Sequence, residues 1–595
     1  MTHRLIAAAL LVTGCVALYF LQRAKSQAPI SPAPVLYLVA DTEREAERIP
    51  LALTRVSDAQ ENQIGAEIAK EYGLTNPHRF DNDKTGDTQT IERYLNTVGY
   101  FLIPQVQRSA IHYHFYLDDS PYLVNAFALP GGNIVVGRGL LNLLESEDEL
   151  AAVLGHEITH VDNRHAIERL QYELAAKKYG LGAFYQLGTP ALYIFRAGYT
   201  KEQELEADRV GLNIAVSGGY SPQGGIALMK RLEKLEAEES DPHRAGSSIE
   251  EIAQVSVDSL DQYFKSHPPA SERLAAMQSE ISSQGWPDSN QRPLAIRHIF
   301  LTDQAEALDA SGDFAKSITR YKEALNLTAN YLRTWHGLAE VEWRAGDAAE
   351  TSTAANEAAR RGKAFRDWQL LGRALVVSSP QKSTDVFTEA MNEAYRYSKE
   401  TDSYLAATVE LAGMQISKGN QSDATRLLQT SLAYASTFST AFRTQMQREL
   451  AWWMYRAGKL EDAAKVLEGA HQSLPRESET MNQLAWVYSD MGRQADASQS
   501  PSAGSSPAMQ AEDNAILAVI AARTNEHESA NVQFKVACMY DPVWMVPRWV
   551  QNNFSNSTAA IFKQLQTEEL ARRKKVADEL ARQKKEAESR QHPNE

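Results

Sequence analysis

The chain has 595 residues, more than one hydrophobic core normally organises, so we expect at least two domains. Apolar residues make up 43% and charged residues 23%, as in an ordinary soluble globular protein. The net charge of −15 argues against nucleic-acid binding, which needs a clustered basic face. The two cysteines, Cys15 and Cys538, exclude a disulfide framework and a cysteine-based zinc site in the folded body.

The first 25 residues are typical of an export signal. Basic residues flank the apolar run 5–21, and a Pro-rich linker follows at 26–34. Three fates stay open for segment 1–25: cleavage, retention as a membrane anchor, and lipid attachment at Cys15, because residues 12–15 resemble a lipobox. We therefore expect an exported, periplasmic protein that uses its N-terminus for any membrane association.

Residues 35–295 mix strand and helix patterns. Alternation predicts a strand over 111–117, and apolar runs predict strands at 124–129 and 133–136. Pro130-Gly131-Gly132 between the last two predicts a hairpin turn. Helical periodicity then runs from Glu147 past Arg169.

A second helix is predicted to begin near Thr200. Thr200 and Gln203 have the spacing of a capping box, in which each side chain bonds the other's backbone.

The strongest chemical signal is Gly155-His156-Glu157-Ile158-Thr159-His160. On a helix, His156 and His160 are about 40° apart around the axis, so both imidazoles leave one face and can share a Zn²⁺. Glu157 can reach a zinc-bound water as general base. An ordinary helix with two surface histidines is the alternative for this motif alone.

A catalytic zinc needs a third protein ligand. His165 follows His156 by nine residues, about 180° around a continuous helix, so we do not expect it to share the metal. Glu204 and Asp208 are better candidates, because they lie four residues apart on one face of the second helix. One of them would bind zinc and the other would hydrogen-bond a ligand imidazole.

The second half of the chain repeats itself. Five glycines each follow an alanine by seven residues: Gly312, Gly346, Gly419, Gly458 and Gly492 after Ala305, Ala339, Ala412, Ala451 and Ala485. Two of the glycine spacings are 34 residues, which is the period of tetratricopeptide helical hairpins. Residues around 360–400 fit this period poorly. We predict repeats over 298–560, a flexible Ser/Pro/Ala-rich loop at 498–508 and a charged helical tail at 563–595.

Several separated motifs resemble those of the gluzincin metallopeptidases related to HtpX and the CaaX prenyl proteases, most closely their exported, tetratricopeptide-bearing BepA-like branch. The resemblance covers about 65–290 and the repeats. Its motifs are 125–132, 137–141, 156–160, 204–208, and 266–268 with 271–274. It implies an α+β zincin-type metallopeptidase domain followed by an all-α tetratricopeptide-repeat solenoid.

By this resemblance, each chain binds one Zn²⁺ through His156, His160 and Glu204, and Asp208 supports His156. The strand that contains Asn125, Ala126, Phe127 and Ala128 would pair with an extended substrate by backbone hydrogen bonds. His267 would either fill the fourth zinc position, which keeps the enzyme latent, or stabilise the oxyanion, as Arg273 also could.

These features predict a zinc-dependent endopeptidase that cleaves protein substrates. The resemblance points to quality control of misfolded or misassembled envelope and outer-membrane proteins. The repeats would recruit substrate or a protein partner, with outer-membrane assembly machinery as one candidate. The rival hypothesis is a chaperone or assembly scaffold that acts through its repeats while its peptidase activity is latent.

Overall fold

The computed structural model describes seven stretches of the chain: 56–168, 199–239, 267–362, 364–396, 401–432, 438–499 and 506–591. The chain divides into two compact units, Met1–Phe300 and Leu301–Glu595. The predicted export segment and linker lie outside the described residues. Within the described stretches, no helix combines the length and apolar character that a bilayer span requires.

The first unit combines one small sheet with helices. Its helices are α1 (Asp58–Glu71), α2 (Asp87–Leu102), α3 (Arg138–Leu143), α4 (Glu147–Asp162), α5 (Lys201–Ser217), α6 (Gln223–Glu239) and α7 (Ala270–Gln284), and its strands are β1 (His114–Asp118), β2 (Ala126–Leu129) and β3 (Asn133–Gly137).

The sheet has the order β1-β3-β2. β3 pairs with β1 in parallel and with β2 in antiparallel orientation, with Ala126 opposite Val136. Pro130–Gly132 joins β2 to β3, which confirms the predicted hairpin. Gly132 has φ +82, and a Cβ atom there would lie 2.6 Å from the His112 carbonyl oxygen, so this turn requires glycine.

Helix α4 is shorter than the periodicity predicted. Ser146 caps its N-terminus by accepting a hydrogen bond from the Glu149 amide at 3.1 Å. The helix ends at Asp162, and Arg164 takes a left-handed conformation with φ +67 before residues 165–168 turn helical again. The prediction of a continuous helix past Arg169 is therefore wrong, because Arg164 breaks the helical path.

Helix α5 begins as predicted. The side chain of Thr200 accepts from the Gln203 amide, and the Gln203 side chain accepts from the Thr200 amide. This reciprocal capping box satisfies two amides that would otherwise lack partners at the helix start.

The second unit is built of helical hairpins. After α8 (Arg297–Ser311), which begins in the first unit, its helices are α9 (Phe314–Leu327), α10 (Leu332–Arg344), α11 (Ala348–Gly362), α12 (Phe365–Ser378), α13 (Pro380–Arg396), α14 (Thr401–Ser417), α15 (Gln421–Leu432), α16 (Thr440–Arg456), α17 (Leu460–Ser473), α18 (Ser478–Asp490), α19 (Gln494–Gln499), α20 (Pro507–Arg523), α21 (His527–Tyr540), α22 (Pro547–Asn553) and α23 (Asn556–Gln591).

The predicted repeat positions occupy equivalent places in these hairpins. All five turn glycines have φ between +72 and +84, a region that favours glycine, and each follows the first helix of a hairpin. All five alanines are at most 1% exposed, as expected where two helices pack closely. The pattern of small residues thus marks the turn and the helix contact of each unit.

Two further hairpins lack this glycine signature. Helices α12 and α13 occupy the segment around 360–400 that fits the 34-residue period poorly, and Ser379 joins them. Between α20 and α21 the left-handed position belongs to Asn525, with φ +62. Asparagine tolerates this conformation better than most residues.

Most of the flexible loop predicted at 498–508 lies outside the described residues, and only its two ends are described. Gln499 ends α19, and Pro507 begins α20 with Ser506 as its cap. The charged C-terminal helix begins at Asn556 rather than at 563, and its first turns bury Phe562 and Leu565.

Candidate metal and catalytic site

A glycine contact brings α4 and α5 together. A Cβ atom on Gly155 would lie 2.4 Å from the Gly211 carbonyl oxygen, and one on Gly211 would lie 2.5 Å from the His156 amide nitrogen. Neither position has room for a larger residue, so the two backbones touch here. Glu204 precedes Gly211 by about two helical turns and therefore faces the histidines of α4.

The three predicted metal ligands form a buried triangle. His156 Nε2 lies 3.2 Å from His160 Nε2 and 3.4 Å from Glu204 Oε2, and His160 Nε2 lies 3.8 Å from Glu204 Oε1. Ligand atoms about 2.0–2.1 Å from a tetrahedral Zn²⁺ are roughly 3.3–3.4 Å apart, so these atoms fit that ion. Glu204 Oε1 is buried and has no hydrogen-bond partner among the described residues. Two imidazoles and one carboxylate form a donor set typical of catalytic zinc.

Asp208 supports the first histidine. Its Oδ1 lies 2.9 Å from His156 Nδ1, which leaves Nε2 facing the other ligands. Arg273 donates to Asp208 from Nε, at 2.8 Å, and from Nη2, at 2.6 Å. Burial raises the pKa of Asp208, but the charge of Arg273 and the hydrogen bonds to Arg273 and His156 together outweigh burial and lower that pKa. A charged Asp208 accepts the Nδ1 proton and favours the tautomer that binds metal through Nε2.

The surrounding charges favour a cation at this triangle. Burial lowers the pKa of His156, but hydrogen bonds to Asp208 and Glu204 raise it to about 10. Burial raises the pKa of Glu204, yet the charge of His267 and the hydrogen bond to His156 hold it well below its ordinary value. The carboxylates thus stabilise positive charge at His156, whereas burial holds the pKa of His160 well below its ordinary value and keeps that ring neutral, as a metal ligand must be.

Glu157 lies beside the ligands without binding to them. It is 3% exposed, and its Oε2 is buried without a hydrogen-bond partner among the described residues. Burial raises its pKa to about 7. The Ala128 amide of β2 hydrogen-bonds the same carboxylate. A carboxylate with a pKa near 7 is suited to general acid–base catalysis at neutral pH.

His165 lies next to the site because α4 ends at Asp162, before the predicted end of the helix. Its Nδ1 lies 3.1 Å from His160 Nδ1, and its Nε2 lies 3.4 Å from Glu206 Oε2. The expectation that His165 lies across the helix from the site is therefore wrong, since the left-handed turn at Arg164 redirects the chain. His165 contacts the back of His160 as Asp208 contacts the back of His156.

Tyr199 covers the other side of His160. The two rings stack with centroids 3.8 Å apart and an interplanar angle of 15°. The Tyr199 hydroxyl donates to the Ala128 carbonyl oxygen at 3.2 Å. Tyr199 thereby joins the second ligand to strand β2.

His267 contacts a ligand and the strand segment. Its Nδ1 lies 2.7 Å from Glu204 Oε2, and its Nε2 lies 3.2 Å from Asn125 Oδ1. Its ring centroid is 5.8 Å from that of His156. The structure therefore brings His267 next to the metal triangle.

The predicted substrate strand lies along the same site. Asn125 directly precedes β2, which contains Ala126, Phe127 and Ala128 and forms one edge of the sheet among the described residues. A cavity of about 30 Å³, enough for a water molecule, lies between the strand and the catalytic groups. Its lining includes Asn125, Ala126, His156, Glu157, Asp208, His267 and Arg273.

The comparison with known families agrees with this geometry. Residues 90–281 match the family model of Peptidase family M48. This segment is a peptidase family M48 domain. The M48 domain includes the sheet and helices α4 to α7, and thus every candidate site residue named above.

Relatives of the M48 domain occur in bacteria and in organelles. The chain is 35% identical over 162 residues to the "Beta-barrel assembly-enhancing protease" of Yersinia pestis, covering 24% of this chain and 32% of that one. It is 32% identical over 157 residues to the "Mitochondrial metalloendopeptidase OMA1" of Arabidopsis thaliana, covering 25% and 28%. The match thus spans about a third of each of these relatives.

Two other matches cover most of the length of the similar protein. The chain is 25% identical over 239 residues to "Metalloprotease YcaL" of Escherichia coli (strain K12), covering 38% of this chain and 82% of that one. Among solved structures, the tetratricopeptide protein YrrB aligns at 13% identity with a TM-score of 0.19, covering 40% of this chain and 92% of YrrB. The hairpin assignment rests on the helices and turns described above.

The sequence patterns missed His165 and Tyr199. A helix end at Asp162 could have been inferred from Asn163, because asparagine is common where helices terminate. Such a break would have freed His165 from the assumed helical position. Tyr199 had no local signal, since its contact with His160 depends on how α5 docks.

Proposed function

We propose that this chain is a zinc-dependent endopeptidase. The observation that supports the proposal most directly is the buried triangle of His156, His160 and Glu204, with the Glu157 carboxylate beside it. Oε2 of Glu157 has no hydrogen-bond partner among the described residues. Zinc bound there would lower the pKa of a water molecule towards ~7 and polarise a scissile carbonyl.

The chain's own groups divide the remaining work. Glu157 takes the proton of the attacking water and passes it to the leaving amine. Asp208, held by Arg273, keeps His156 in the tautomer that exposes Nε2. Strand β2 binds the substrate backbone in extended form, so we expect little preference for particular side chains.

His267 has two candidate roles in this mechanism. Its contact with Glu204 is compatible with a fourth-ligand position that excludes water and keeps the enzyme latent. It is also compatible with donation to the oxyanion of the tetrahedral intermediate. Arg273 is the second candidate for oxyanion stabilisation.

We further propose that the substrates are misfolded or misassembled envelope proteins in the periplasm. The export pattern at 1–25 and the relative named for β-barrel assembly support this assignment. The helical repeats would recruit a substrate or a partner protein, for which outer-membrane assembly machinery is a candidate. The alternative is a chaperone or assembly scaffold whose peptidase activity is latent.

The Glu157→Gln variant tests the enzymatic proposal. It should retain zinc and lose proteolysis of unfolded casein by about 10²–10⁴-fold, because the ligands stay and the base is removed. A chelator should abolish wild-type cleavage, and added zinc should restore it. Wild-type cleavage rates in Glu157→Gln would contradict the mechanism.

The same variant separates enzyme from scaffold. In cells, Glu157→Gln should trap uncleaved substrates, which can be recovered with the protein and identified. Full biological function of this variant would favour the scaffold hypothesis.

A further inference from the structure

The repeat unit contains an aromatic cavity of about 300 Å³. It lies between α16, α18, α20 and the C-terminal segment around α22, and its aromatic lining is Trp452, Tyr455, Trp486, Trp544, Trp549 and Phe554. Ala508 at its margin is exposed, and Trp549 is partly exposed, so the cavity opens to solvent. Its volume is at the lower end of ligand-pocket sizes, roughly 300–1,000 Å³, which suits a single side chain.

Glu512 is one of two carboxylates that line this aromatic cavity. Glu512 Oε1 accepts from Trp486 Nε1 at 3.0 Å, and Glu512 Oε2 accepts from Asn482 Nδ2 at 3.2 Å. No described lysine or arginine forms an ion pair with Glu512. Burial, together with the negative charges of Asp513 and Glu479, raises the pKa of Glu512.

The polar groups in the cavity that can form further hydrogen bonds are acceptors. A carboxylate has about four lone-pair sites, so each Glu512 oxygen can accept one more hydrogen bond. Gln483 also lines the cavity, and its Oε1 is buried without a partner among the described residues. A second acidic lining residue, Asp541, already accepts from Arg344 Nη2 at 2.7 Å. The open groups therefore match a ligand with several donors and a positive charge.

The ring arrangement favours a flat cation. The rings of Trp486 and Trp544 are inclined by 30° with centroids 6.2 Å apart, and Trp549 meets Trp544 edge to face. Cations bind over indole faces, and guanidinium also stacks on them because it is planar. The chain uses this contact nearby, where the Arg373 guanidinium lies 4.4 Å from the Trp452 ring centroid.

We propose that this cavity binds an arginine side chain of a partner or substrate protein. The guanidinium uses the free lone pairs of Glu512 and Gln483, and its face lies against the tryptophan rings. The opposite charges of guanidinium and carboxylate distinguish this occupant from an aliphatic side chain. Arginine binding would specify which side chain the repeats recognise in a recruited protein. Binding itself can be measured independently, and only its role in the cell rests on the proposed function of the repeats.

The wild-type chain can be tested with four small probes. N-acetyl-arginine methylamide should bind saturably and change the indole fluorescence of the full-length protein. The citrulline and norleucine analogues should bind at least about tenfold more weakly, because the first lacks the charge and the second lacks the donors. The affinity of the lysine analogue should lie between that of the arginine probe and those of the two weaker probes, because lysine has the charge without the planar guanidinium.

The Glu512→Gln variant isolates the carboxylate. It should weaken arginine-probe binding at least about tenfold and leave citrulline binding unchanged. Glu461→Gln, an exposed glutamate of α17, is the matched control and should bind like wild type. A thermal melt by circular dichroism checks that Glu512→Gln is folded.

Three results would overturn the proposal. Equal affinity of the norleucine and arginine probes would make the cavity a plain apolar site. Equal affinity of the lysine and arginine probes would remove the role of the guanidinium shape. No saturable binding at the highest soluble probe concentration would show that the cavity takes no cationic side chain. These measurements do not involve proteolysis, so they are independent of the peptidase proposal.

Discussion

Buried charges are arranged differently in the M48 domain and in the helical repeats. In the repeats, Glu410 Oε1 accepts from Gln369 and Arg373, and its Oε2 accepts from Trp453 at 2.8 Å. Arg373 also donates to Glu449. In the M48 domain, by contrast, Glu157 Oε2 and Glu204 Oε1 are buried with no partner among the described residues.

The difference distinguishes carboxylates that only hold helices together from carboxylates that can still accept a proton or bind a metal ion. A buried carboxylate without a partner costs stability, so both of its oxygens are usually bonded where it only holds helices together. Unbonded oxygens at Glu157 and Glu204 keep lone pairs free for a proton and a metal ion. The repeats contain exceptions. Glu512 has only neutral hydrogen-bond partners, and Asp309 Oδ1 and Asp367 Oδ2 are buried without a hydrogen-bond partner among the described residues.

Replacing one of the three candidate metal-binding side chains should have the largest effect on zinc content, proteolysis and stability. We expect wild-type protein to carry about one zinc per chain, and His156→Ala, His160→Ala and Glu204→Ala each to lose most of it. Proteolysis should fall to background, and the melting temperature should drop because metal binding is coupled to folding. Elemental analysis and melting curves give both readouts. Full zinc content in all three variants would refute the assignment.

The change His267→Ala should separate two opposite outcomes. If His267 occupies the fourth position of the resting site, its loss should raise basal proteolysis. If it stabilises the oxyanion, its loss should lower kcat, by about 10²-fold or more. The rate on unfolded casein, with zinc content measured in parallel, distinguishes them. An unchanged rate would mean that His267 has neither role.

The change His165→Ala should weaken zinc binding by about 10–100-fold, because His165 orients His160 through its Nδ1. Competition with a zinc chelator measures this affinity. His112→Ala, an exposed histidine outside the site, is the control and should bind zinc like wild type. Equal affinity of the two variants would limit His165 to a packing role.

Breaking the ion pair of the repeats should affect stability and not catalysis. Arg373→Met leaves the Glu410 carboxylate buried without its cation, which costs about 3–5 kcal/mol of unfolding free energy. Denaturant unfolding measures this loss. Zinc content should be unchanged. Zinc loss in this variant would show that the two kinds of buried charge are not separable.

Asp309 in the repeats should give the smallest effect. Burial raises its pKa from 3.8 to about 6, and its Oδ1 lacks a partner among the described residues. Because the folded pKa exceeds the unfolded one, its stabilising contribution is complete below about pH 4 and is lost as pH rises through about 6. Asp309→Asn should remove about 1–2 kcal/mol of the stability change between about pH 4 and pH 6. An identical pH profile would refute the raised pKa.

Local spacing predicted much of the fold and of the site. The turn glycines could be recognised because a left-handed turn between helices restricts the residue type, and the buried alanines because close helix packing does. His156 and His160 share a face through helical periodicity alone. Spacing left Glu204 and Asp208 as alternatives for the third ligand, and the family resemblance assigned the position to Glu204.

The remaining features depend on contacts that local patterns do not encode. The turn at Arg164 was hidden by apolar periodicity that continues on both sides of it. Asn525 performs the role of a turn glycine without being one. The partners of Glu512 come from α18, whereas much of the surrounding aromatic wall follows α21, so no short motif contains the cavity.

The third metal ligand comes from a different helix than the two histidines. His160 and Glu204 are 44 positions apart, as their numbers show. A metal ion held by both would therefore close a chain loop, much as a disulfide does. A cross-link over a loop of that length removes about 4 kcal/mol of unfolded-state entropy. A metal ion bound there would thus stabilise the fold as well as supply the proposed chemistry.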